Sequence, residues 1–280
     1  MSSAARDRVA TVVVWTVVFG IAGVFFWLLA DLVWHGLGRV SWDFLVTLPR
    51  NAGREGGLSS ILVATALILL VCMGASLPIG LGTAVLLAEF SSESLFGRAV
   101  RRSLDVLAGV PSIVFGLFGN AFFSKVLGMG FSIVSGGLTL ACMVLPILIR
   151  ATEEGLRSAP QEYRLGAAAL GLSRFKTLIH LLIPAAVPGL MVGFVLGLGR
   201  AIAETAALLF TSGYVDRMPE SLMDSGRALT VHIYDLSMNV PGGDRSAYGT
   251  ALVLIVFLFA LNSAAWGIAG RWRDRKIVAP

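Results

Sequence analysis

Six stretches of this chain run for about twenty residues or more with few charges: Val9–Leu32, Leu58–Leu87, Leu104–Val126, Phe131–Ile149, Ile183–Phe210 and Tyr248–Ala269. A bilayer's hydrocarbon core is about 30 Å thick, which about 20 residues of helix cross. Nothing in lipid can satisfy an open backbone, so a crossing segment must be helical or part of a closed barrel. Runs of this length predict an all-α, polytopic membrane protein with six transmembrane helices. Only 14% of the 280 residues are charged and 56% are hydrophobic, whereas a soluble domain carries about a quarter charged residues.

The formal charge of +5 suits a nucleic-acid surface only where the basic residues gather into a patch. Here they collect at the ends of apolar runs, so no nucleic acid is expected. With the N-terminus inside, cytoplasmic segments hold fourteen of the 22 lysines and arginines and external segments hold seven; Arg200 lies within a span. That bias places residues 1–8 and the tail 271–280 in the cytoplasm. The first run, Val9–Ala30, is too long for a signal-peptide core and reads as an uncleaved helix. Cys72 and Cys142 lie inside apolar runs and are expected to pack as small hydrophobes.

Two connections are long: a cytoplasmic one at 150–182 and an external one at 211–247, the second carrying Pro219, Pro241, Gly242 and Gly243. In the first, Pro160 suits a helix start, Gly171 a helix stop and Ser173 the cap of a second helix. Gly166, Ala167, Ala168 and Ala169 leave a smooth surface between them. The expectation is two short helices forming a docking knob.

Leu165-Gly166-Ala167, Gly171, Leu181, Ile183 and Pro184 match the spacing of the cytoplasmic loop of ABC importer permeases. The usual Glu-Ala-Ala opening is replaced at Leu165 and Gly166. Ala108-Gly109-Val110-Pro111-Ser112-Ile113-Val114-Phe115-Gly116 and Gly199-Arg200-Ala201-Ile202-Ala203-Glu204-Thr205-Ala206 resemble the phosphate-specific branch. Leu229-Thr230-Val231-His232-Ile233-Tyr234 and Ala247-Tyr248-Gly249-Thr250-Ala251-Leu252 resemble its A-type (PstA-type) subunit.

That resemblance implies the ABC type I importer permease fold in a bacterial plasma membrane and, as partners, a second permease (PstC-like), two ATPase subunits (PstB-like) and an external phosphate-binding protein (PstS-like). Cofactors are expected on the ATPases, which would hold ATP and Mg. Glu162, Arg164, Gly166, Ala167, Ala168, Gly171 and Pro184 are the implied coupling residues. Arg200, Glu204, Thr205 and Ser112 are the expected pathway residues.

Gly189, Gly193 and Gly197, spaced by four, share a helical face with Arg200 and Glu204. A glycine seam admits a close neighbour, and charges in a span must face protein or water. Arg200 and Glu204 then read either as a structural ion pair or as an anion station, with Glu204 holding the guanidinium between transits. Pro111 predicts a kink in the third span, with Ser112 hydrogen-bonding near it.

No G-x-x-x-x-G-K-[ST] phosphate loop, H-E-x-x-H or G-x-S-x-G occurs, and His35, His180 and His232 stand far apart in sequence. The chain is expected to be no enzyme, with ATP hydrolysis on partner chains. An oxyanion permease of other specificity, the C-type subunit and a transporter driven by an ion gradient remain alternatives.

Overall fold

The computed structural model describes residues 3–91 and 94–277. Residues 1–2 of the expected N-terminal segment and 278–280 of the expected tail lie outside them. Helix α1 (Ser3–Leu37) packs along α12 (Asp244–Ile277). Its Val13, Phe19, Phe26 and Trp27 are exposed, as lipid-facing side chains are. A short α2 (Trp42–Val46), capped by Ser41 Oγ accepting from Phe44 N at 3.2 Å, leads into a hairpin. Its strands β1 (Pro49–Arg50) and β2 (Glu55–Gly56) pair antiparallel, Pro49 opposite Gly56.

The bundle centre is α3 (Ser59–Val85, continued by a π-turn to Phe90), α6 (Ile133–Arg157) and α9 (Ile183–Ile202). Ile68, Cys72, Leu140, Val144, Leu148 and Ala201 fill the space between them. The glycine seam of α9 lies on α6. A Cβ at Gly189 would sit 2.5 Å from Gly155 Cα, one at Gly193 2.9 Å from Ala151 Cβ, and one at Gly197 2.6 Å from Val144 Cγ1. Without side chains in the way the two backbones approach until dispersion contacts hold them, the main packing force available in lipid.

Between α3 and α6 run α4 (Leu95–Ala108) and α5 (Ser112–Gly119, continued to Val126), which meet at 102°. Among the described residues five helices are long and apolar enough to cross a membrane, and the bent pair, counted as one span, brings the number to six. The expected span Leu104–Val126 is corrected accordingly: the chain turns sharply at Gly109–Pro111 where a kink within one helix was expected. Pro111 has no N–H to continue α4 and stands at the N-cap of α5.

Three further span boundaries differ most from expectation. Helix α6 continues to Arg157, past the boundary set at Ile149. The fifth span begins at Arg174, where α8 (Arg174–Thr177) merges through a π-turn with α9, so the 150–182 connection is largely helical. That span also ends early, at Ile202, and a short α10 (Ala206–Leu209) follows a break at 203–205. The 211–247 connection contains α11 (Leu229–Met238), which seals the bundle end through Leu229, packed with Phe44, Leu58, Ile61 and Val253.

Candidate functional site

At the end of the bundle where the fifth span starts, α7 (Gln161–Ala169) and α8 project as a knob. Gly171 adopts φ +68, the left-handed conformation that ends α7. Ser173 Oγ accepts from Lys176 N at 3.3 Å and caps α8. Ala167 is buried, whereas Glu162, Gly166, Ala168 and Gly171 are exposed. So are Leu165, Leu170 and Phe175, a cluster of apolar surface rimmed by charge that fits a protein partner. Pro184 lies just past the π-turn that joins α8 to α9.

The knob rests on a strut that reading the sequence overlooked. Arg164 Nη2 donates to Glu89 Oε1 at 2.6 Å and to Leu156 O at 3.1 Å, while Nη1 donates to Ala159 O at 3.1 Å. One guanidinium thereby joins α7 to the ends of α3 and α6. Beside it is a cavity of about 310 Å³ that Ala168 and Arg174 also line. Behind it Glu153, 4% exposed, accepts from Arg101 Nε at 2.7 Å and pairs with Arg157 at 3.0 Å. Arg101 Nη2 reaches Leu87 O at 2.8 Å. Only the i,i+4 spacing of Glu153 and Arg157 signals this in sequence.

At the far end of α9 the expected Arg200–Glu204 pair is absent: no ion pair joins the two among the described residues. The helix ends at Ile202, so four residues of separation no longer make them neighbours on one face. Glu204 Oε1 instead accepts from Ala207 N at 3.2 Å and caps α10, and its carbonyl accepts from Thr230 Oγ1 at 2.6 Å. Arg200 is half-buried and its Nε is a buried donor without a partner. Thr205 occupies the N-cap position of α10 without a side-chain cap bond.

Helix α10 lies against α5: a Cβ at Gly116 would meet Ala207 Cα at 2.8 Å, and Asn120 Nδ2 donates to Phe210 O at 2.7 Å. These two contacts advance together along both helices, which therefore run parallel. The first turn of α5, with Ser112, and the broken segment holding Glu204 and Thr205 share one end of this contact.

Further along, His232 on α11 is fully buried against the hairpin tip, where a Cβ on Gly53 (φ +88) would strike its ring. Arg227 Nη1 lies 3.4 Å from His232 Nδ1 and donates to Asp235 Oδ2 at 3.1 Å. Burial and the Arg227 charge lower the imidazole pKa from 6.5 to about 3.

Residues 76–271 match the family described as binding-protein-dependent transport system inner membrane component. The chain belongs to that family of ABC importer permeases. The permease is 30% identical, over 95% of both chains, to the probable ABC transporter permease protein YqgI of Bacillus subtilis. It is 33% identical to the phosphate transport system permease protein PstA 1 of Mycobacterium tuberculosis, covering 85% of this chain and 79% of that one. Structures of the methionine ABC transporter MetNI in inward-facing conformations match with TM-scores of 0.57 and 0.59 at 16% identity, covering 77% of this chain and 94% of theirs. The fold is that of a type I ABC importer permease, a multi-pass inner-membrane protein that works with a further permease, ATPases and a binding protein.

Proposed function

We propose that this permease carries inorganic phosphate, paired with a PstC-like permease, powered by two PstB-like ATPases that hold ATP and Mg, and loaded by a PstS-like binding protein. The observation that carries this reading is identity of 33% over 244 residues with a phosphate permease. Both termini face the cytoplasm in this arrangement, which puts the α7–α8 knob on the ATPase side and α11 outside.

Arg200 is the station for the anion. A guanidinium offers planar paired donors to phosphate oxygens. Glu204, engaged as the cap of α10, leaves that charge unneutralised, so the site attracts an anion more strongly than a closed ion pair would. Ser112 and Thr205, at one end of the α5–α10 contact, supply hydroxyls beside the route. On the cytoplasmic side the exposed Glu162, Gly166, Ala168 and Gly171 meet the ATPases, and Arg164 with buried Ala167 carries their movement into the bundle.

Uptake of phosphate by membranes carrying Arg200→Gln tests the pathway. Loss of uptake by at least tenfold, with insertion and assembly intact, is expected, because the buried Arg200 Nε has no protein acceptor and an anion would supply one. Arg200→Lys, which keeps charge but not the fork, should retain a fraction of the rate. Undiminished uptake in both variants refutes the assignment.

A further inference from the structure

Where α1 ends and α12 begins, a cavity of about 490 Å³ is lined by Arg39, Arg54 and Arg245 with Ser41, Ser246 and one acid, Glu55. Each arginine is held by neutral acceptors. Arg39 Nε donates to Ser246 Oγ at 3.3 Å and its Nη2 to Gly56 O at 3.0 Å, while its guanidinium lies 4.6 Å over the Phe44 ring. Arg54 Nη1 donates to Pro241 O at 3.2 Å and Arg245 Nη2 to Gly38 O at 3.2 Å. Glu55 Oε2 accepts from Asn51 Nδ2 at 2.7 Å. None of the three arginines has a carboxylate partner among the described residues. Three cations oriented by carbonyls and a hydroxyl, against the one acid Glu55, leave the cavity with a net positive charge and form a site for an anion.

The depth of the cavity indicates the kind of anion. Trp34 and Trp42, 82% and 76% exposed, flank Arg39 in sequence. Exposed tryptophans of a membrane protein collect at the headgroup level. Phe25, Phe26, Trp27 and Leu37 of α1 are also exposed, so the helix that leads to the cavity offers apolar surface to acyl chains.

We propose that this cavity binds the phosphate of an anionic phospholipid, whose chains lie along α1. The lipid ties α1, packed otherwise along α12, to the hairpin and to the start of α12. It also fills the arginine cluster with a resident anion, so that the cluster does not compete for the transported one.

The test uses the full-length permease in detergent. Native mass spectrometry would follow retention of phosphatidylglycerol against phosphatidylcholine of the same chains, with and without inorganic phosphate. Preferential retention of phosphatidylglycerol, undisturbed by millimolar phosphate, is expected. Arg54→Gln, an exposed change, should weaken the preference ~5-fold, and Arg39→Gln with Arg245→Gln ~25-fold, at about a factor of five per arginine near a charged surface. A double variant that does not fold leaves Arg54→Gln to decide. Equal retention of both lipids, displacement by phosphate, or an unchanged preference in Arg54→Gln overturns the proposal. So does loss of binding-protein docking by Arg54→Gln with lipid retention intact, which would mark a protein-docking face instead. Because retention is measured without transport, it fails or succeeds independently of Arg200.

Discussion

Single residues decide how closely the central helices approach. Gly189→Ala places a methyl 2.5 Å from Gly155 Cα, where only backbone can yield. Overpacking of this kind costs about 1–3 kcal/mol, and the purified permease should melt at a lower temperature. Gly166→Ala meets nothing within 4 Å and removes a helix-interior glycine, a gain of about 0.5–1 kcal/mol; its melting should hold or rise. The seam was legible because spacing by four puts glycines on one helical face. Its partner, Gly155 with Ala151 and Val144 on α6, was not, since which helices meet is a tertiary matter. The Arg200–Glu204 pairing misled for a related reason: side-chain spacing predicts neighbours only while the helix continues, and no glycine or proline marks its end at Ile202.

The apolar runs revealed the spanning elements, but charge is a poor guide to where those elements stop. Arg150, Glu153 and Arg157 read as the start of a loop, yet Arg150 and Glu153 pair with Asp105 and Arg101 on α4 and Arg157 pairs with Glu153, which lets α6 extend beyond the apolar core. Helix α11 gave no such signal because its burial comes from α12, α3 and the hairpin, which are distant in sequence. Its packing predicts a pH response. His232 takes up a proton near pH 6.5 when α11 opens but resists it until about pH 3 when closed. A depressed histidine pKa contributes stability fully above pH 6.5, and that stability is lost as pH falls toward 3. Closure should weaken by about 1.4 kcal/mol per pH unit in that window. Protection factors of α11 amides at pH 7 and pH 5 would show it, and His232→Gln should abolish the difference.

For the whole molecule the question is how a push on one end reaches the other. The knob joins the bundle where α8 continues into α9, and Arg164 ties α7 to Glu89 at the end of α3 and to Leu156 O on α6. From there α6 runs the length of the seam against α9, whose far end carries Arg200. Close-packed helices transmit displacement because contacts such as Gly155 on Gly189 leave no slack. A movement of the knob thus shifts α3 and α6 together, provided the guanidinium holds. Arg164→Gln keeps the side chain near its size and removes the charge that Glu89 receives. With the ATPases docked at the knob as proposed, the assembled transporter should still bind them and still hydrolyse ATP. Uptake per ATP should fall several-fold, because part of each stroke is spent tilting a loosened α7. Measuring both rates on the same vesicles separates this outcome from simple misassembly, in which they fall together. A ratio of uptake to hydrolysis that stays at the wild-type value would show that force enters the bundle by another route, with α8 and its continuous junction to α9 as the remaining connection.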